Sequence, residues 1–222
     1  PDRTAVFADA QSRGKGRMKR LWQSPPTRNL YLSLLIRPPL AAEALPSFPL
    51  AAGVAVARAL LPHAGKDSVR LKWPNDVLLG VRKAAGILAE VRTKKRAVDF
   101  LVVGIGINVN MEKEDFDPSI RDIATSLREA TGRSVSRLGL AVDLLRAFEG
   151  CYTRFLREGF QSLRQEWLNS TDMVGQRVRV SLGADVCCGV VRTIGWDGAL
   201  VLGNERGELQ RMTIGDATIL KD

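Results

Sequence analysis

The sequence predicts an α/β protein, a mixed sheet with helices packed on it, followed by a small β-barrel. Three observations predict it. Up to Asn169, apolar runs of strand length alternate with stretches of helical periodicity. After Asn169-Ser170-Thr171 the pattern changes to short alternating strands separated by Gly-Ala and Asp-Gly turns. A chain of 222 residues, 45% of them hydrophobic, can bury one sizeable core together with a satellite domain.

The elements follow in order. Leu30 to Ile36 is a short apolar run suited to a buried strand. Leu50, Val54, Ala57 and Leu61 recur at helical spacing in an Ala-rich stretch, which predicts a helix over 50–61. Val69 to Trp73 alternates and stops at Pro74-Asn75-Asp76, a turn signal. Ala85 to Arg92 and Asp99 to Val109 read as further strands, the second so apolar that it belongs in the sheet's centre. Leu140, Leu144, Phe148, Tyr152 and Phe155 share one helical face, predicting an amphipathic helix over 138–158. Phe160, Leu163 and Trp167 mark another. Strands over 177–182, 186–194, 199–202 and 208–213 complete the small barrel. The division expected is 1–172 for the main domain and 173–222 for the barrel.

Composition narrows the function classes. No apolar run reaches bilayer-spanning length without Pro or charge, and the first residues do not form a signal peptide, so a cytoplasmic protein is expected. Cys151, Cys187 and Cys188 give neither a disulfide framework nor metal-ligand spacing, which suits a reducing compartment. The lone histidine, His63, lies at a helix end, and a His-based triad or zinc site has little to draw on. The net charge of +9 lies wholly in the first 173 residues, because the remainder holds six basic and six acidic side chains. Between Arg13 and Arg20, five of eight residues are cationic and none is acidic. Such a run calls for an anion.

Three segments carry chemistry. Gln11 to Pro25 interleaves glycines with cations, so its backbone can bend round an anionic ligand. It lacks the spacing of a P-loop, and it reads equally as a solvated or nucleic-acid-binding loop. Lys72-Trp73-Pro74-Asn75-Asp76 ends a strand, and a hairpin returns through Arg82-Lys83 to Gly86. Its carboxylate and amide can hold a metal or ribose and its lysine a phosphate, or the turn is simply a turn. Gly104 and Gly106, inside an apolar strand, imply close approach of a ligand or of another packed element.

In this order and spacing the three segments resemble the catalytic core of the biotin–protein ligases, the biotin–acetyl-CoA-carboxylase ligases. Lys72-Trp73-Pro74-Asn75-Asp76 with Arg82-Lys83-x-x-Gly86-Ile87-Leu88 is the specific part. Asn29-Leu30-Tyr31-Leu32-Ser33, Ile123-Ala124-Thr125-Ser126-Leu127 and the C-terminal strands extend the likeness along essentially the whole chain. The resemblance implies a catalytic domain like that of class II tRNA synthetases, followed by an SH3-like barrel. It implies a reaction in which ATP and biotin form biotinoyl-5'-AMP, whose acyl group passes to a lysine of a biotin carboxyl carrier protein, the acetyl-CoA carboxylase subunit, or of another biotin-dependent carboxylase.

By match to the motifs, Lys83 is the main catalytic candidate, with Arg17 and Lys15 in support. Biotin contacts are expected from Gln11, Gly14, Lys15, Gly16, Arg17, Lys83, Gly86 and Gly104. Nucleotide contacts are expected from Asn75, Asp76, Lys83 and Asn108, with Asn108 reading adenine and Asp76 holding Mg²⁺. Trp22 is expected to anchor the loop in the apolar core. Family members carry a Ser/Thr-Thr-Asn segment upstream of the glycine loop, expected to precede residue 1 here. Lys15 stands where arginine is usual, at the loss of a bidentate contact. Lys19 replaces a glycine, and a positive φ there would strain the turn by ~1 kcal/mol. A homologue that binds biotin or its adenylate without transferring it is a competing reading. DNA binding is not expected, since no recognition helix or stacking platform is evident. Relatives occur as monomers and as homodimers, and both remain open.

Overall fold

The computed structural model describes residues 1–94 and 97–220. Its main sheet has six strands: β1 (Thr4–Ala8), β2 (Leu30–Ile36), β3 (Val69–Lys72), β4 (Asp76–Leu79), β5 (Arg82–Lys94) and β6 (Ala97–Ile107), in the order β1-β2-β6-β5-β4-β3. Every ladder is antiparallel, and the parallel component of the expected mixed sheet reduces to one isolated bridge between Lys83 and Ala124. The apolar strand is indeed central, with β2 and β5 on its flanks.

Alternation divides the sheet into two faces. Leu101, Val103, Ile105 and Ile107 are buried, as are Leu32, Leu34 and Ile36. They face α1 (Phe48–Ala64), α3 (Arg137–Glu158) and α4 (Gln161–Asn169), with a short α2 (Leu127–Thr131) between. Helix α1 is lined by Ala51, Ala52, Ala55 and Ala59, all buried, so α3 can approach closely. Phe48 meets Phe155 edge to face at 5.1 Å. The alternate residues of β6, among them Gly104 and Gly106, occupy the other face, where Trp22 packs over Gly106.

One irregularity matters for that face. Between β4 and β5, Val77 pairs with Ala85 but Leu78 pairs with Lys83, leaving Ala84 as a bulge. Strict alternation would put Lys83 on the opposite face from Gly86. The extra residue reverses the parity, and the Lys83 side chain lies beside Gly86.

The second sheet contains β7 (Arg177–Leu182), β8 (Asp185–Ile194), β9 (Leu200–Gly203), β10 (Leu209–Met212) and β11 (Asp216–Ile219), in the order β10-β9-β8-β7-β11. It docks on the first unit through specific contacts. The buried Trp73 indole donates to the Gly198 carbonyl at 3.0 Å, and Arg164 donates to the Ile194 carbonyl at 2.6 Å. Gly198 has φ +86°, and a Cβ there would lie 2.7 Å from the Ser47 Cβ, so a tight turn and close packing both require glycine.

Ala42–Ala64 is apolar and long enough to cross a membrane by length and composition alone, although Pro46, Pro49 and Pro62 interrupt it. In the fold 67% of its apolar window is buried, as the core helix beneath the sheet.

Candidate active site

The glycine loop is a closed structure. The Trp22 amide donates to the Gly14 carbonyl at 2.9 Å, the Gly16 amide to the Arg20 carbonyl at 2.7 Å, and Lys15 bridges Leu21. Gly14 is buried, and a Cβ there would sit 2.3 Å from the Trp22 carbonyl oxygen, so the loop closes only around glycine. Gln11 braces its base, donating through its side chain to Ser24 Oγ at 3.3 Å. Tyr31 donates to the Pro25 carbonyl at 3.0 Å, and burial pushes its phenol up to about 12, so it stays neutral.

Two cations from distant parts of the chain meet successive residues of one turn. Arg17 donates to Asn75 Oδ1 at 3.2 Å, and the Lys83 ammonium lies 2.5 Å from Asp76 Oδ1. Asn75 is fixed in turn by its side-chain donation to the Ile87 carbonyl at 2.8 Å. Both cations are partly withdrawn from water, their side chains being 22% and 34% exposed, so their fields act through a medium less screening than solvent. Cations so placed can hold an anion beside the Asn75-Asp76 turn and offset charge developing on it.

The remaining candidates divide. Gly86 lies on the open face against Lys83 and Trp22: a Cβ there would meet the indole at 3.0 Å. Gly104 is less constrained, since its Cβ would meet only ordinary contacts with Leu88, from 3.6 Å. Lys15 is not drawn to the turn. Its side chain is 73% exposed and faces Glu90 at 4.0 Å. Asn108 is buried, and its amide group donates to the Thr125 carbonyl at 3.0 Å, so it joins the end of β6 to the segment before α2.

Trp22 differs from expectation. It anchors the loop, but on the open glycine face rather than in the apolar core. A Cβ on Gly106 would lie 2.5 Å from its Nε1, and the Lys83 ammonium sits 5.3 Å from the ring centroid. Lys19 adopts φ +62° and Met18 φ +52°, so the strain expected from replacing a glycine is present, over two residues.

Sequence reasoning missed Asp216. It pairs with Arg17 at 3.4 Å and Arg20 at 2.7 Å, while Arg17 also donates to the Gly215 carbonyl at 3.2 Å. The second sheet thus contributes directly to the loop. The only available signal was an acidic residue after a glycine in a short turn, a pattern common to surface turns. Among the described residues, no group of three or more His, Cys, Asp or Glu side chains could hold a metal by itself.

The chain is similar to known biotin ligases in sequence and in fold. Residues 1–108 match the model of the Biotin/lipoate A/B protein ligase family. The bifunctional ligase/repressor BirA of Bacillus spizizenii is 34% identical over 93% of this chain, which spans 63% of that relative's length. The biotin–[acetyl-CoA-carboxylase] ligase of Mycobacterium tuberculosis is 35% identical over 90% of this chain and 73% of its own. The biotin protein ligase of Aquifex aeolicus, solved in complex with biotin and ATP, superposes with a TM-score of 0.85 at 29% identity, covering 100% of this chain and 90% of its own. With that identity over most of both the mycobacterial protein and this one, the chain belongs to the biotin protein ligase family.

Proposed function

We propose that this chain joins biotin to ATP as biotinoyl-5'-AMP and transfers the biotinoyl group to a lysine of a biotin carrier domain in the cytosol. The observation that carries the reading is the convergence of Arg17 and Lys83 on Asn75 and Asp76. Forming the adenylate brings a carboxylate oxygen to the α-phosphorus while the bond to pyrophosphate breaks. Two anions must approach, and fixed cations offset the repulsion. Lys83 contacts the reacting carboxylate and phosphate oxygens, and Arg17 supports it from the glycine loop. In the second step a neutral acceptor amine attacks the acyl carbon and AMP leaves. Biotin is assigned to the side of Gly86 and Gly16, with Gln11, Gly14 and Gly104, where Trp22 and Lys83 now pack against Gly86. Lys15 keeps its supporting role from the loop, its side chain exposed beside Glu90.

Asp76 suits Mg²⁺, a hard cation that commonly takes one or two carboxylates together with substrate phosphates. Its single carboxylate, with no cluster of ligating side chains around it among the described residues, implies that the triphosphate supplies most of the ligands. When bound, the ion screens the triphosphate charge. Asn75 and Asn108 hold the nucleotide side. Asn108 commits one of its two amide N–H donors to Thr125, which leaves the second N–H and its carbonyl oxygen for adenine.

Incubation with biotin, ATP and Mg²⁺, with pyrophosphatase converting the product to measurable phosphate, tests the reading. Lys83→Ala should lower biotin-dependent release by roughly 100-fold or more. Release that is absent from the unaltered chain, or unaffected by Lys83→Ala, would reject it.

A further inference from the structure

We propose that Glu129 is a positioning residue for adenylate formation, acting on Lys83 through the bulge at Ala84; this rests on the role given to Lys83 above. Lys83 reaches the open face only because Ala84 is inserted into the β4–β5 ladder. A bulge takes backbone groups out of the ladder, and here an irregular segment accepts and donates in its place. The Lys83 amide donates to the Ile123 carbonyl at 2.8 Å, and the Thr125 amide donates to the Lys83 carbonyl at 2.9 Å. The Asn108 amide donates to the Ala84 carbonyl at 2.8 Å.

The segment 123–125 belongs to no strand of the sheet, so something must fix it in turn. Ser126 caps α2, accepting from the Glu129 amide at 3.0 Å. The Glu129 carboxylate then closes a ring. One oxygen pairs with Arg82, the residue before Lys83, and the other accepts from Thr125 Oγ1 at 3.0 Å. One side chain thereby couples the residue preceding the lysine to the residue that holds the lysine's carbonyl. The Glu129 side chain is only 15% exposed and Thr125 is fully buried, so solvent is a poor substitute for either bond. Glu129 makes no hydrogen bond or ion pair with Lys83, Arg17, Asn75 or Asp76, so its effect is geometric: without it the bulge and the ammonium it aims can shift. A displacement of about 1 Å at a reacting group can cost on the order of 100-fold in rate.

The full chain is assayed for biotin-dependent pyrophosphate release as Glu129→Ala, Glu129→Gln and, as an ion-pair control elsewhere, Arg70→Ala. Amide exchange at Lys83 and Thr125 is followed in parallel. The expected result for Glu129→Ala is a fall in kcat of about 10- to 100-fold, with KM for biotin and ATP changed less than about 3-fold and faster exchange at both amides. Glu129→Gln, which keeps the shape and the Thr125 bond, should fall between it and the unaltered chain, while Arg70→Ala stays unchanged. A kcat within about 2-fold of the starting value in folded Glu129→Ala overturns the proposal. Should the alanine variant not fold, an unchanged kcat in Glu129→Gln overturns it instead. If the unaltered chain releases no pyrophosphate, the ligase reading fails separately, and unchanged exchange at Lys83 and Thr125 in Glu129→Gln then rejects the bulge coupling too.

Discussion

At the scale of single residues, the glycine loop carries its strain at Met18 and Lys19, neither of which suits the left-handed region. Lys19→Gly should relieve about 1 kcal/mol there, partly offset by the greater freedom of the unfolded chain. The expected outcome is an unchanged or slightly higher Tm, by at most about 2–4 °C, in a thermal melt. A loss of stability would mean that the Lys19 side chain contributes contacts outweighing its backbone cost. The cysteines behave as their surroundings dictate. Burial pushes the Cys151 thiol up to about 11, whereas Cys188 is exposed on β8. A thiol reagent near neutral pH should modify Cys188 promptly and Cys151 only after unfolding. Because the folded state keeps the Cys151 proton to higher pH than the unfolded state, that group's contribution is complete below pH ~9 and is lost as pH rises towards 11. Stability that increased over that interval would contradict the assigned burial.

Among the elements, the glycine loop depends on a tie that crosses between the two sheets. Asp216, at the start of β11, holds both Arg17 and Arg20. Removing it by Asp216→Ala should lower overall stability by roughly 1–2 kcal/mol, because the Arg20 pair is largely exposed while the Arg17 pair is not. The loop should open more often, so trypsin should cut between Arg13 and Arg20 at least about 3-fold faster, and KM for biotin or ATP should rise. Equal cleavage rates would show that the loop is held by Trp22 and its own hydrogen bonds alone. Most elements were visible in the sequence: α1, α3 and α4 from helical spacing, β2, β5 and β6 from apolar runs, and β3 and β7 to β10 from alternation bounded by turn signals. The strand β1 went unnoticed because Val6 and Phe7 are substantially exposed, so it lacks a buried alternating face. The strands β4 and β11 and the helix α2 went unread: β4 lies inside the segment read as a turn and hairpin, and β11 and α2 span only four and five residues. The bulge at Ala84 is invisible for another reason. It depends on partners at Ile123, Thr125 and Asn108, which are far away in sequence, so the motif Arg82-Lys83 was legible while the device aiming it was not.

For the whole molecule, the question is how a surplus of cations bears on an acceptor that is itself a protein. The net charge of +9 resides in the first 173 residues, and five of its cations lie in the loop at the mouth of the site. Several are already paired: Arg17 and Arg20 with Asp216, Lys83 with Asp76, Arg82 with Glu129. Such pairing reduces their fields at long range; Arg17 and Arg20 share one carboxylate and keep one net charge, so the loop's external potential comes from that charge together with Arg13, Lys19 and the loosely paired Lys15, the last three exposed. An acidic carrier domain would feel that potential over roughly a Debye length, about 10 Å at 0.1 M salt. Raising salt from about 25 mM to 300 mM should therefore slow transfer to an acidic carrier severalfold, through kcat/KM rather than kcat. Transfer to a small neutral acceptor such as hydroxylamine should change much less, because a neutral nucleophile gains nothing from steering. Neutralising Arg13 and Lys19 together by Arg13→Gln and Lys19→Gln should flatten the salt response, while leaving adenylate formation within about 2-fold. A carrier rate indifferent to salt would remove steering from the account and leave the adenylation chemistry at Lys83 untouched, since that chemistry acts at a few ångströms where screening has little hold.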